Sequence, residues 1–155
     1  MSKASVLVKL YTNNIPVPEF ICVSENINLK IINDFLEKFN NSTFAIRSSA
    51  NIEDGSSYSF AGVFESYLNV KANNVIECVK KCVHNKHNAI FRDYKNKIKM
   101  NSKVVMNVIV QKMVNSEISG VLFSKNPITS DSNYLIECAW GLGLSVVSGE
   151  IEPDR

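Results

Sequence analysis

The chain is short of net charge: 17 Lys and Arg stand against 15 Asp and Glu, leaving +2 over 155 residues. The basic residues are also spread along the sequence, so neither nucleic acid nor an anionic membrane is indicated as a partner. No apolar run approaches the ~20 residues of a membrane span, and the opening MSKASVLVKL lacks the apolar core and cleavage site of a signal peptide. These absences give the expectation of a cytoplasmic protein. There is no GxxxxGK[ST] and no GxGxxG, which removes P-loop and dinucleotide-fold chemistry. Internal repeats and low-complexity segments are missing as well. What remains is an ordinary globular composition, 45% hydrophobic and 21% charged, at a length that suits one domain.

Cysteine is sparse too, at Cys22, Cys78, Cys82 and Cys138. Without a secretion signal these are expected as reduced, mostly buried thiols. CVKKCVHNKH offers Cys78, Cys82, His84 and His87 as a metal cluster at first sight. Yet Cys78 and Cys82 lie one helical turn apart beside Val75, Ile76, Val79 and Val83, the pattern of a helix face turned to a core. His84 projects elsewhere, so a tetrahedral zinc site is the poorer reading.

Along the chain, residues 3–11 read as a short helix broken by Asn13 and Asn14, followed by the extended IPVPEF. Residues 20–23 suit a short strand. SENINLKIINDFLEKF repeats Leu29, Ile32, Phe35, Leu36 and Phe39 with a period near 3.6, so it is expected as a helix capped by Ser24. Phe44 to Arg47 read as a strand facing a second at 63–70, and 73–97 as a long helix that breaks near Asn85. The β-branched run 104–114 has the look of a strand buried on both faces. Two more strands, 120–127 and 133–140, precede Gly141-Leu142-Gly143. Short connections make 104–138 look like an antiparallel meander. The expected class is α+β in a single domain over 1–155, divisible into subdomains at 1–100 and 101–155.

Three stretches have chemical character. Arg47-Ser48-Ser49, read as the end of a buried strand, offers a guanidinium and two hydroxyls to an anion such as phosphate. The loop DGSSYSFAG behind it is rich in Gly, Ser and Ala and can turn its amides inward over a polyphosphate. On composition alone, pairing of Arg47 with Glu53 or Asp54 explains the same residues. Gln111-Lys112-Met113-Val114 leaves a buried strand where backbone groups and a methionine can meet an adenine ring, although a core methionine explains it as well. Glu137, between Ile136 and Cys138, is a carboxylate on a strand expected to be buried, and it needs a partner; Glu150, Glu152 and Asp154 follow it.

KASVLVKLYTNNIPVPEF, FAIRSSANIEDGSSYSFAGVFESYLNV, FRDYK, VIVQKMVNSEISGVLFSKNPITSD and IECAWGLGLSVVSGEIEPDR occur in that order. Together they resemble the nucleotide-binding domain of the phosphoenolpyruvate synthase, pyruvate phosphate dikinase and rifampicin phosphotransferase family. The resemblance covers most of the chain outside 24–42 and 71–88. It implies an ATP-grasp fold, with antiparallel sheets and flanking helices gripping ATP and Mg²⁺. It also implies transfer of a phosphoryl group from ATP to a histidine on a partner domain. By motif, Lys3 and Arg47 would serve the phosphates, with Ser48 beside them, and Ser59, Ala61 and Gly62 would belong to the loop that closes over them. Gln111, Met113 and Val114 would line the adenine pocket, and Glu137 would lie near the ribose and metal.

The chain departs from the pattern in ways that set a second expectation. Leu144 stands where the family usually has the glutamate of Gly-Leu-Gly-Glu, and leucine cannot coordinate a metal. The helical region ahead of Arg-Ser-Ser is shorter than in the full enzymes, and paired glycines before Lys3 are missing. The residues end near Pro153, where the family continues into a further strand, and there is no room for a phosphohistidine domain. The expectation is a shortened phosphotransferase subunit completed in trans by a phosphohistidine-domain protein or another subunit. The alternatives are a degenerate nucleotide- or partner-binding module and a fragment of a longer enzyme.

Overall fold

The structure, a computed structural model, describes residues 2–51, 66–84, 105–127, 129 and 131–155. The chain divides into two compact units, Met1–Met113 and Val114–Arg155. Both mix strands and helices, and every strand pairing is antiparallel. No helix among the described residues is long and apolar enough to cross a membrane.

The first unit is built on a four-stranded sheet. Its strands are β1 (Phe20–Val23), β2 (Thr43–Ala50), β3 (Ser66–Lys71) and β4 (Met106–Lys112), in the order β1-β4-β2-β3. The helices among its described residues are α1 (Lys3–Thr12), α2 (Leu29–Lys38) and α3 (Ala72–His84). β4 is an inner strand, and its Val108, Ile109 and Val110 are all fully buried, as a continuous β-branched run requires. β2 runs beside it in unbroken register from Phe44 opposite Lys112 to Ala50 opposite Met106. β3 carries one residue more than β2 between paired positions, and Asn69 takes a left-handed φ of 54° there, a conformation asparagine tolerates better than most residues.

Alternation then assigns the faces. Phe44 and Ile46 of β2, Val108 and Val110 of β4 and Val23 of β1 meet Ile32 and Phe35 of α2 and Val75, Val79 and Cys82 of α3 in one core. The rings of Phe35 and Phe44 lie 5.9 Å apart. The opposite face is covered by α1, through Ala4 against Ser49 and the Tyr11 ring edge-on to Phe20 at 6.1 Å.

The second unit holds β5 (Ile118–Phe123), β6 (Leu135–Trp140) and a short helix α4 (Leu144–Ser148). β5 and β6 pair from Ile118 opposite Trp140 to Phe123 opposite Leu135. Beyond α4, Gly149 takes a left-handed φ of 73° and the chain returns to pair Asp154 with Cys138.

Several expectations need correction. The stretch 104–138 is not a meander, because β4 pairs with β1 and β2 while β5 and β6 form a separate sheet. The short connection after β4 bounded the possible partners without choosing one. β2 does not end at Arg47; it continues three residues further because β4 supplies partners to Ala50. α2 starts later than Ser24, since Asn28 Oδ1 accepts from the Lys30 and Ile31 amides at 3.1 and 3.3 Å, the geometry of an N-cap. Its Leu29 is exposed. β6 is not a buried strand, for Ile136 and Trp140 are exposed. α3 is described to His84; the rest of the expected 73–97 helix and FRDYK lie outside the described residues.

Two substitutions test this architecture. Ile32→Ala, at a position with no exposed surface, should cost about 2–5 kcal/mol in urea unfolding. Gly120→Ala puts a Cβ 2.6 Å from the Glu137 carbonyl oxygen, so the hairpin must shift. Amide exchange across β5 and β6 should accelerate, with a loss of roughly 1–3 kcal/mol.

Candidate functional site

Residues far apart in sequence meet on the α1-covered face of the first sheet. In β2, Ala45, Arg47 and Ser49 alternate onto that face, opposite Gln111, Ile109 and Asn107 of β4. Arg47 also pairs with Ser66 of β3, and it is half-buried with no ion pair among the described residues. Its expected competitors Glu53 and Asp54 lie outside the described residues.

The start of α1 is tied to this face by a polar contact between Ala4 and Ser49. Helix starts leave their first amides without intrahelical partners. Here Ser2, the N-cap, accepts from the Ser5 amide at 3.3 Å, while the Ala4 amide donates to Ser49 Oγ at 2.9 Å. Ser49 has no exposed surface, and Ala4 is buried. Lys3 immediately precedes Ala4 and is half-buried. Ser49 follows Arg47 by two residues, roughly 7 Å along the strand. The fold therefore brings the first turn of α1, which carries Lys3, to the face that carries Arg47.

The other expected site residues separate into distinct environments. Ser48 alternates to the opposite face and is 1% exposed, so its hydroxyl does not share a face with Arg47. Gln111 is on Arg47's face but 8% exposed, its Nε2 donating to the Pro18 carbonyl at 3.3 Å. That bond, with the Lys112 amide donating to the Glu19 carbonyl at 2.8 Å, binds the Pro-x-Pro segment to β4. Met113 uses its amide on the Thr43 carbonyl at 2.9 Å and closes the first unit; Val114 opens the second and is exposed. Ser59, Ala61 and Gly62 lie outside the described residues.

Glu137 belongs to the second unit and has the partner its setting demanded. Arg155 Nε donates to Glu137 Oε1 at 2.8 Å, the carboxylate side chain being 20% exposed and the guanidinium 52%. Leu144 begins α4 and is 57% exposed; Gly143 ahead of it provides no side-chain cap.

The two cysteines of the candidate cluster pack at the core, Cys82 within it and Cys78 partly buried against it. Cys82 is fully buried in the core beside Val75 and Val79. Burial pushes the Cys78 thiol up, with Lys81 opposing, so it remains protonated near neutrality. His84 Nδ1 is 3.1 Å from the Lys80 carbonyl, and His87 lies outside the described residues. No group of three or more His, Cys, Asp or Glu side chains able to hold a metal occurs among the described residues.

The Ser49 hydroxyl, expected from the sequence to serve an anion together with that of Ser48, instead accepts from the Ala4 amide. The signal was available in the alternation of a strand, which puts Ser49 and not Ser48 beside Arg47 once the strand runs past position 47.

Residues 14–155 match the family described as "Pyruvate phosphate dikinase, AMP/ATP-binding domain". A "Probable phosphoenolpyruvate synthase" of Pyrococcus horikoshii is 49% identical over 114 residues, 72% of this chain and 14% of its own length. A "Phosphoenolpyruvate synthase" of Pyrococcus furiosus is 48% identical over the same span. An "Uncharacterized phosphotransferase YvkC" of Bacillus subtilis is 34% identical over 189 residues, 99% of this chain and 22% of its own length. That alignment is longer than the 155 residues here, so the relative carries residues this chain lacks within the shared region. The chain thus spans between 14% and 22% of the length of these relatives. With the family matched over nearly all of its residues, the chain belongs to the pyruvate phosphate dikinase and phosphoenolpyruvate synthase family, through that family's AMP/ATP-binding domain.

Proposed function

We propose that residues 1–155 act as one ATP-grasp-type nucleotide-binding domain that binds ATP and supplies the donor half of a phosphoryl transfer. The acceptor is a histidine on a partner domain, reached in trans or elsewhere in a longer polypeptide, in a cytoplasmic setting. The observation that carries this reading is the convergence of the Lys3 turn and Arg47 on one sheet face through the Ala4–Ser49 bond. Two cations from distant parts of a chain with little net charge suit a polyanionic ligand better than a neutral one.

In this reading Arg47 grips phosphate oxygens through its planar fork, while Lys3 adds a point charge. Together they offset the charge that moves to the leaving oxygen as the bond to the transferred phosphorus breaks and the bond to the imidazole nitrogen forms. Positioning and electrostatics then supply the catalysis, with no nucleophile needed in this domain. Ser59, Ala61 and Gly62 are assigned to the loop over the phosphates, and Gln111, Met113 and Val114 to the adenine end.

The Glu137 carboxylate already receives Arg155 at 2.8 Å, which does not suit a ligand kept ready for a cation. The charge compensation argued above accordingly comes from Lys3 and Arg47.

Leu144 favours a second reading, a degenerate domain that binds nucleotide or a partner without transferring phosphate. Leu144, exposed at the first turn of α4, stands where the family resemblance implies a glutamate.

Calorimetric titration of ATP with Mg²⁺ should show saturable binding that Arg47→Ala weakens about ten- to a hundredfold, the worth of one or two charge-assisted hydrogen bonds. Absence of saturable binding, or an unchanged affinity in the variant, rejects the proposal. Leu144→Glu separates the two readings: a degenerate site should gain Mg²⁺-dependent ATP affinity from the restored carboxylate, and an intact one should not.

A further inference from the structure

From the contact between β2 and α1 we infer that Ser49 is a positioning residue, which holds Lys3 in register with Arg47 at the phosphate end of the site. The inference rests on the nucleotide reading above and adds to it a residue that touches no ligand.

The argument starts from the amides at the start of α1. Ser2 answers Ser5 locally, and the Val6 amide returns to the Ser2 carbonyl at 3.0 Å. Ala4 is answered from 45 residues away, by a hydroxyl with no exposed surface. A cap serving only the helix could come from a neighbouring side chain, as Ser2 shows. A cap delivered by a strand also fixes where the helix starts against that strand. Ser49 lies on the same face as Arg47 and two residues along, on a strand clamped to β4 on both sides of this position by the Ser48–Val108 and Ala50–Met106 pairings.

Alanine at position 49 leaves the Ala4 amide buried and unpaired, a state that proteins avoid. The cheapest escape is for the first turn of α1 to unwind or lift towards water, carrying Lys3 with it. β2 stays in place, since its ladder with β4 does not involve the Ser49 hydroxyl. Arg47 therefore keeps its position while Lys3 loses its own.

The test has two arms on the full chain. Without nucleotide, amide exchange in Ser49→Ala should accelerate about tenfold or more across residues 3–6, the loss expected for one buried hydrogen bond. The β4 and α3 amides should keep their rates. Uniform acceleration everywhere would mean a merely structural role, and no change at 3–6 would mean that Ser49 does not hold the turn; either result overturns the inference. With ATP and Mg²⁺, affinities are compared for the native chain, Ser49→Ala, Lys3→Ala and the double variant. Ser49→Ala should weaken binding roughly fivefold when Lys3 is present and have no effect when Lys3 is already alanine, the non-additivity of residues acting as one unit. Independent, multiplying losses overturn it. If the native chain binds no ATP, the nucleotide reading fails and Ser49 loses its role toward phosphate. The exchange arm still decides, separately, whether Ser49 fixes the helix start.

Discussion

The arrangement depends on the ladder between β2 and β4. Seven consecutive pairings, from Phe44 with Lys112 to Ala50 with Met106, run without a slip, and a one-residue slip of β2 would exchange its two faces. Phe44 and Ile46 would leave the core, and Arg47 would enter it. The apolar burial on one face thus fixes the position of the cation on the other. Val108, Val110, Phe44 and Ile46 are each fully buried, so the register that presents Arg47 is held by the apolar core.

α1 follows from the same constraint. It places Ala4 against Ser49 and Tyr11 against Phe20, two contacts at opposite ends of ten residues. The aromatic contact alone leaves the helix free to pivot at its start. The hydrogen bond removes that freedom, and Lys3 stands at the end it fixes. A polar contact of modest net worth, about 1 kcal/mol, can matter to a site out of proportion to its share of stability, because it selects among orientations that packing leaves nearly equal.

Much of the first unit was legible from the sequence. The 3.6-residue stripe of Ile32, Phe35 and Leu36 foretold the buried side of α2, and Cys82 joined its core for the reason its valine neighbours suggested. The continuous apolar run gave β4 as an inner strand. Strand order was not legible: β4 and β5 are separated by only a few residues yet belong to different sheets, and nothing in a five-residue connection says whether the chain turns back or moves on. The end of β2 was misjudged because Arg47, Ser48 and Ser49 look polar enough to leave a sheet. Ser48 and Ser49 are buried all the same, one on each face. Lys3 and Arg47 were singled out by motif; what motif could not supply is the bond that brings them to one face.

The two units meet the cost of order differently. All the fully buried apolar side chains among the described residues lie in the first unit, whose core is closed by helices on the strands. The second unit relies on backbone pairing: β5 with β6, and Cys138 with Asp154 through amide–carbonyl bonds of 3.0 and 2.9 Å. Ile118, Leu122, Ile136 and Trp140 of its strands are more than half exposed. Backbone hydrogen bonds open to water contribute little net stability, and a two-stranded sheet is marginal without a covered face. The first unit is therefore the more rigid of the two, and it is the one that carries Lys3 and Arg47. The Glu137–Arg155 pair sits in the softer unit with a half-exposed guanidinium, where an ion pair adds at most about 1 kcal/mol. The cations proposed for phosphate thus stand on the part of the chain best able to hold them still.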